Sequence, residues 1–291
     1  MLVVVDPLAR SADGESVRIA RDVLRAGAQS LKICFPESAA EWERMLAHRG
    51  RRRPVVVGGD AALLRTVRFL HREGGLAQAA LSFVPVGPGA AGGLAGRLGV
   101  PVSAVAAARA ALDGVERVRD LLVDDAGGIV VGEVRIPGGG VPEPGGARVP
   151  AQASGGGERE SDDPVRRRWL ERGARSLVRT LTHPLPGLAG HGHRLHVEAD
   201  GVVLADPDRP VHEVCAHAPA GGRTEVAVRH QDGSGNTVYA GELTVSGREF
   251  RYRADEGPTG PVRSRTWRVE PAAWLLTVPR EPEAGATGGH G

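Results

Sequence analysis

The sequence predicts an α/β domain with a parallel sheet in three layers, followed by a smaller antiparallel β-sandwich domain. In the first third of the chain, short and uniformly apolar runs alternate with segments whose apolar residues recur at helical spacing. This alternation is typical of a parallel sheet covered by helices on both faces. From residue 193 onward, apolar and polar residues alternate in short runs separated by turn residues, which indicates antiparallel strands.

Four apolar runs predict the strands of the first domain, at residues 2–5, 30–35, 54–57 and 80–86. The segments between and after them place apolar residues on one helical face. We expect helices over residues 14–25, 37–48, 61–72 and 103–112. The pattern changes near Gly114, so we assign residues 1–114 to this domain.

Residues 115–278 are assigned to the β-rich domain. Its first part is a hairpin that turns at Asp124–Gly128. Residues 137–163 are dense in Gly and Pro and hold few large apolar side chains, which predicts a disordered insertion. A helix is expected over residues 164–181, and residues 279–291 are expected to be a disordered tail. Further strands are predicted at residues 195–199, 202–204, 211–215, 224–229, 238–245, 250–253, 263–269 and 274–278.

Composition excludes several classes of function. The chain has 291 residues, 41% hydrophobic and only 3% aromatic, with a net charge of +2. This charge is too small to indicate a nucleic-acid partner. Lys32 is the single lysine, so no lysine-containing phosphate loop can be present; we interpret it as a solvent-facing strand residue. The runs Arg51–Arg53 and Arg166–Arg168 favour solvated faces, with a membrane-surface role left open.

The two cysteines, Cys34 and Cys215, lie far apart and form no C-x-x-C motif. This usage favours a reduced, cytoplasmic chain over a disulfide-bonded secreted one. The start of the sequence lacks the basic region of a signal peptide. No stretch approaches the roughly 18 apolar residues of a spanning helix. We expect a cytoplasmic protein, with peripheral attachment at the inner membrane face as the alternative.

Two glycine-rich turns are the strongest candidates for a ligand site. Gly58-Gly59-Asp60 follows an apolar strand and runs directly into a helix, and Gly87-Pro88-Gly89 leaves the next strand in the same way. Glycine lets a backbone approach an anion, and a helix N-terminus offers unpaired N–H groups. At the carboxyl ends of parallel strands, the two turns would form a crevice for a nucleotide. The alternative is a pair of tight β–α turns with Asp60 as the helix N-cap.

The order of these motifs resembles that of the bacterial diacylglycerol kinase and sphingosine kinase catalytic family. Asp6-Pro7 stands where the family has Asn-Pro, and Gly58-Gly59-Asp60 matches the start of its Gly-Gly-Asp-Gly-Thr motif. Residues 85–89 and 98–101 bracket its third motif. Residues 197–201 resemble its late Asp-Gly-Glu hairpin.

This resemblance implies a lipid kinase that uses ATP and Mg²⁺ and phosphorylates a lipid hydroxyl at a membrane surface. It implies a catalytic role for Asp60, as a base or through a metal, and contact between Asp6 and the nucleotide. The phosphate cradle would be formed by Gly58, Gly59, Gly87 and Gly89. No dedicated set of metal-ligating residues is predicted.

The family pattern is eroded in this chain. Ala61-Ala62 replace Gly-Thr, Pro88 replaces threonine, residues 90–93 replace an Asn-Asp pair, and Val202 replaces glutamate. Phosphoryl transfer depends on positioned polar groups, so the alternative is a non-catalytic relative that binds a nucleotide, a lipid or a protein partner.

The histidines at positions 183, 191, 193 and 196 form the other cluster of candidate ligands. His193 and His196 are an odd number of residues apart and would lie on opposite faces of one strand. We interpret these histidines as solvent-facing loop residues rather than as a metal site.

Overall fold

The computed structural model describes residues 1–88, 93–136, 192–217, 219–255 and 257–280. The first half contains a four-stranded parallel sheet in the order β2-β1-β3-β4, which confirms the predicted α/β class. Its strands are β1 (Leu2–Val5), β2 (Lys32–Cys34), β3 (Pro54–Gly58) and β4 (Ser82–Pro85). All residues of β1, β3 and β4 are buried, as expected for strands covered on both faces.

Helices connect these strands, and side-chain caps explain where several of them begin. The carboxylates of Asp6 and Asp13 and the hydroxyl of Ser38 accept first-turn N–H groups of the first three helices, which stabilises helix starts. The helices are α1 (Pro7–Ala12), α2 (Gly14–Gly27), α3 (Ala39–Ala47), α4 (Asp60–Arg72), α5 (Leu94–Arg97) and α6 (Ala104–Asp113), with a 3₁₀ turn at Leu76–Gln78. Within the described part of the chain, no helix is long and apolar enough to cross a membrane.

The strand order creates a switch point between β1 and β3. From β1 the chain moves to β2 on one side of the sheet, whereas from β3 it moves to β4 on the other side. Connections that leave neighbouring strands in opposite directions open a crevice at the carboxyl edge of a sheet, where ligands of α/β proteins bind. Asp6 follows β1, and Gly59-Asp60 follow β3, so these residues flank the crevice.

The second half is a ten-stranded sheet whose strand pairs are antiparallel. Eight strands follow the order β12-β11-β10-β7-β13-β14-β5-β6, and β8 pairs with both β13 and β9. The strands are β5 (Val115–Asp124), β6 (Ile129–Val130), β7 (Glu133–Ile136), β8 (Leu195–Ala199), β9 (Val202–Ala205), β10 (Val211–His217), β11 (Thr224–His230), β12 (Gly235–Ala240), β13 (Glu242–Ala254) and β14 (Gly257–Val278).

Two apolar clusters form the core. One lies within the antiparallel sheet and includes the fully buried Trp267. The other contains the parallel sheet with its helices, and also Leu121, Trp274 and Leu276 of the second sheet. A backbone bridge between Leu81 and Leu276 joins the two sheets at this point. The proposed domain boundary at residue 114 remains a prediction, although packing clearly continues across it.

Several predicted boundaries differ from those observed. The predicted strand at 238–245 is two strands, because the chain turns at Gly241 between β12 and β13. The predicted strands at 263–269 and 274–278 are both part of β14, which has a register shift between Glu270 and Trp274. The predicted insertion at 137–163, the helix at 164–181 and tail residues 281–291 lie outside the described residues.

Candidate functional site

The loops that follow β1, β3 and β4 meet at the carboxyl edge of the parallel sheet. The backbone N–H of Asp6 donates to Val57 O over 2.8 Å, and that of Val86 donates to Gly58 O over 2.9 Å. These bonds bring Asp6, Gly87 and the segment Gly58-Gly59-Asp60, here called the glycine turn, to the same edge.

Gly58 is required by its neighbours rather than by its own backbone conformation. A Cβ atom at this position would lie 2.7 Å from Asp6 Cβ and 2.9 Å from Ala62 Cβ, distances that real Cβ atoms do not adopt. The Asp6 carboxyl packs against this glycine, is only 7% exposed and accepts from Leu8 N over 3.3 Å. Glycine at position 58 therefore allows an acidic side chain to lie beside the glycine turn.

Helix α4 begins without a side-chain cap. Gly59 is its N-cap residue, with φ −84° and ψ −178°, and Asp60 is its first helical residue. The sequence alternative that made Asp60 the N-cap is therefore wrong. The N–H of Ala62 donates to Gly59 O over 3.1 Å. Because glycine has no side chain to accept a hydrogen bond, the first two N–H groups of α4 depend on another acceptor. An anion is one such acceptor.

Asp60 connects the glycine turn to α5. Its Oδ2 atom accepts from Leu94 N over 2.9 Å. A Cβ atom on Gly93 would lie 2.0 Å from this oxygen, so glycine is needed there as well. The other oxygen, Oδ1, is buried and has no hydrogen-bond partner among the described residues. Buried polar atoms are normally partnered, so Oδ1 is the atom in this site that most needs a ligand or a water molecule.

The turn after β4 packs against both neighbouring loops. Gly87 has φ +98°, a conformation that favours glycine. A Cβ atom on Gly87 would lie 3.3 Å from Ala9 Cα. A Cβ atom on Gly59 would lie 3.5 Å from the carbonyl oxygen of Pro88. Gly89, the remaining predicted cradle residue, lies outside the described residues.

Asp255 is a second carboxylate near α5, and the sequence analysis did not single it out. Its oxygens accept from the backbone N–H groups of Val131, Gly132 and Glu133 over 2.5, 2.8 and 3.0 Å. A Cβ atom on Gly132 would lie 2.5 Å from Leu94 Cδ2 and 2.7 Å from Asp255 Oδ1, so this carboxylate lies near the Leu94 side chain, while the Leu94 backbone N–H contacts Asp60. The sequence pattern that could have indicated it is an acidic residue at the end of a predicted strand, two positions before Gly257.

Burial dominates the electrostatics of Asp255. Burial raises the pKa of this carboxyl above its usual value, and the three backbone hydrogen bonds only partly oppose the effect. The nearby charge of Arg68 on α4 also lowers the pKa. Through its three backbone hydrogen bonds, Asp255 holds the turn between β6 and β7 beside the N-terminal end of α5.

The segment 197–201 is a hairpin between β8 and β9, and its Asp200 carboxylate has a structural role. Asp200 accepts from the backbone N–H groups of Gly241 and Glu242, so it joins two hairpins of the antiparallel sheet. His193 forms a backbone bridge with Val211, and burial lowers its side-chain pKa. Among the described residues no cluster of His, Cys, Asp and Glu could hold a metal ion. His183 and His191 lie outside those residues.

We expect Cys215 to be unreactive in the folded protein. Burial, followed by the charge of Glu213, raises the pKa of this thiol to about 11, so only about one molecule in a thousand carries the thiolate at pH 8. In a Cys34→Ser variant, Ellman's reagent should label Cys215 at least a hundredfold more slowly in the native protein than in urea. Comparable labelling rates in the two states would contradict this expectation.

The carboxylates at the glycine turn fit a Mg²⁺ ion that is held mainly by a nucleotide. Mg²⁺ in such sites takes one or two protein carboxylates together with substrate phosphates and water. Asp60 Oδ1 has no partner among the described residues, and Asp6 Oδ2 lies 3.4 Å from the position for a Cβ atom on Gly58. These two side chains supply oxygen ligands beside the first turn of α4.

Comparisons with known proteins identify the fold. No family model matches the sequence, and no curated protein matches it. Two solved structures described as “a putative diacylglycerol kinase”, both from Bacillus anthracis str. Sterne, are 14% identical to this chain, with TM-scores of 0.67 and 0.63. A diacylglycerol kinase from the same organism is 13% identical, with a TM-score of 0.63. Each alignment covers 95% of this chain and 96% of the other. The chain therefore has the fold of these bacterial diacylglycerol kinase structures.

Proposed function

We propose that this protein binds a nucleoside triphosphate with Mg²⁺ at the glycine turn and transfers the γ-phosphoryl group to a lipid hydroxyl. The observation that carries the proposal is the position of the glycine turn, which lies at the switch point of the parallel sheet next to a second carboxylate, Asp6. The similarity of the fold to diacylglycerol kinase structures supports the lipid as acceptor, and the acceptor would be reached at a membrane surface.

The residues of the site have distinct roles in this proposal. The first-turn N–H groups of α4 would bind phosphate oxygens, which favour a helix N-terminus. Gly58, Gly59 and Gly87 would let the backbone approach those oxygens, and Asp6 would contact the nucleotide. When bound, Mg²⁺ would offset the charge of the phosphates, with Asp60 and Asp6 as its protein ligands.

Asp60 is the proposed catalytic residue. The lipid hydroxyl oxygen forms a bond to the γ-phosphorus, and the bond between that phosphorus and the bridging oxygen of the departing nucleoside diphosphate breaks. When Asp60 acts as the base rather than as a ligand of Mg²⁺, the hydroxyl proton passes to its Oδ1 atom, because Oδ2 already accepts from Leu94 N. Lys32 takes no part in this step: its side chain is exposed on β2, as the sequence analysis expected.

A second function, nucleotide binding without transfer, is favoured by the surroundings of Asp60. One of its oxygens holds α5, the other is buried, and the Pro88 carbonyl faces Gly59. The adjacent Ala61 and Ala62 provide no side-chain hydroxyl. Each missing donor in a phosphoryl-transfer site costs roughly 10²–10³ in rate, so such a protein would retain the cradle while losing the chemistry.

Transfer of radiolabel from [γ-³²P]ATP to a mixed lipid extract tests the proposal. We expect labelled lipid with the wild-type protein and a loss of at least about a hundredfold with Asp60→Asn. Asparagine can still accept from Leu94 N, so this variant keeps the contact with α5. Asp208→Asn, which alters an exposed turn residue, is the matched control and should retain full activity.

Calorimetric titration with Mg-ATP separates the two functions. Binding without labelled lipid above the Asp60→Asn background would identify the non-catalytic protein. No binding heat at millimolar nucleotide, together with no transfer, would refute both functions.

A further inference from the structure

A groove crosses the outer face of the antiparallel sheet. One row of directly opposed residues runs from Arg135 on β7 through Cys215 and Ala227 to Thr237 on β12. Directly opposed residues on neighbouring strands point to the same face. The two central residues of the row are small and Arg135 at one end is large, and a depression lies over this part of the sheet. The groove has a volume of about 620 Å³, within the range of small-molecule sites.

Ion pairs form one wall of the groove. The Glu213 carboxylate lies 2.9 Å from Arg135 and 3.4 Å from Arg229. Nearby, Glu133 lies 3.0 Å from Arg97 and 3.7 Å from Arg135. Arg97 and Glu133 do not line the groove, so two guanidinium groups face one carboxylate there, which leaves a net positive charge.

The carboxylates of Glu213 and of the neighbouring Glu133 form ion pairs within the protein, whereas the arginines keep N–H groups that can still donate to a ligand. The side chains of Glu133 and Glu213 are 20% and 19% exposed, whereas that of Arg229 is 65% exposed. A guanidinium has five N–H donors, more than one carboxylate can accept. Burial raises the pKa of the Cys215 thiol on the groove floor to about 11, so the floor adds no negative charge at neutral pH.

The opposite wall is polar and uncharged. It contains Thr237 of β12, and glycines at positions 233 and 235 keep it open. His212 and His217 also line the groove. A molecule in the groove would thus meet positive charge on one side and the Thr237 hydroxyl on the other.

We propose that this groove binds a small hydroxylated molecule that carries a phosphate monoester. The phosphate would pair with Arg135 and Arg229, because guanidinium groups match phosphate oxygens in charge and geometry. The molecule's hydroxyl groups would contact the hydroxyl of Thr237. A soluble phosphate ester and a phosphorylated lipid headgroup share this chemistry. The site is separate from the glycine turn and does not depend on the proposed kinase activity.

Calorimetric titration with glycerol 3-phosphate at low ionic strength tests the proposal. We expect saturable binding to the wild-type protein, no binding of glycerol, and at least tenfold weaker binding by Arg229→Gln. Arg263→Gln is the matched control, since it removes the same charge from an arginine whose side chain is 82% exposed and lies outside the groove. That variant should bind as the wild type does.

Two further comparisons complete the experiment. Asp60→Asn should bind glycerol 3-phosphate normally, which distinguishes the groove from the glycine turn. Vesicles containing phosphatidic acid replace glycerol 3-phosphate in a second set of measurements, and vesicle binding that requires Arg229 would assign a lipid headgroup as the source. The proposal is overturned if neither probe binds, or if Arg263→Gln weakens binding as much as Arg229→Gln. Equal denaturation midpoints for the two variants would exclude unfolding as the cause.

Discussion

Gly93→Ala is expected to lower the free energy of unfolding by about 3 kcal/mol. The added methyl group would lie 2.0 Å from Asp60 Oδ2, so the carboxyl must move and give up its hydrogen bond from Leu94 N. Overfilling a packed site costs about 1–3 kcal/mol, and losing a hydrogen bond to a charged group costs a similar amount. Urea denaturation followed by circular dichroism measures the change.

Gly96→Ala is the control for this substitution. Gly96 lies within α5, of which Gly93 is the N-cap residue, and no atom outside the helix backbone and its chain neighbours lies within 4 Å of the position for its Cβ. Alanine is the better helix former, so this variant should be as stable as the wild type or more stable by up to about 1 kcal/mol. Equal stability of the two alanine variants would show that Asp60 does not require glycine at position 93.

Asp255→Ala is expected to lower the free energy of unfolding by about 3 kcal/mol as well. The substitution removes the acceptor of three backbone N–H groups between β6 and β7, and partly buried donors without a partner are costly. Asp206→Ala is the control. Its carboxylate also accepts two backbone N–H groups, but in an exposed turn, where water replaces the lost bonds. We expect about 1 kcal/mol or less for the control.

The pH dependence gives a second test of Asp255. Its pKa is raised in the folded protein by burial, so the folded state binds this proton more tightly than the unfolded chain does. The contribution of this group to stability therefore falls as pH rises from the usual carboxyl range through the folded pKa. Asp255→Ala should lack this decline. If the stability of Asp255→Ala varied with pH as that of the wild type does, a raised pKa of Asp255 in the folded protein would be contradicted.

The sequence was sufficient to predict the class of the fold because periodicity reports burial. Strands β1, β3 and β4 of the first sheet are buried throughout, as their uniformly apolar sequences predict. The alternating pattern of β8 is matched by alternating burial. Continuous strands were harder to recognise, since bulges such as that between Glu270 and Trp274 interrupt the alternation. The turn at Gly241 was missed because the apolar pattern continues on both sides of it.

The candidate site was predicted only in part. Asp6 and the glycine turn were found because each follows a buried strand, and carboxyl ends of parallel strands share an edge. The contact between Asp60 and Leu94 could not be predicted, because it joins residues 34 positions apart across a turn of irregular sequence. Asp255 is still more distant, and its partners lie more than 120 positions away. Such contacts depend on how the two sheets pack, which local patterns do not report.

The shortness of α5 has a consequence for how the site is maintained. Four residues rise by only about 6 Å, and so short a segment cannot sustain helical hydrogen bonds by itself in water. Its first N–H is held by Asp60, and its last residue, Arg97, pairs with Glu133. Besides the burial of Leu94 and Ala95, the segment is therefore kept folded by side chains on helix α4 and strand β7. Local opening of α5 would separate Asp60 from its partner while both sheets remain intact, so the integrity of the site depends on a local equilibrium within an otherwise stable fold.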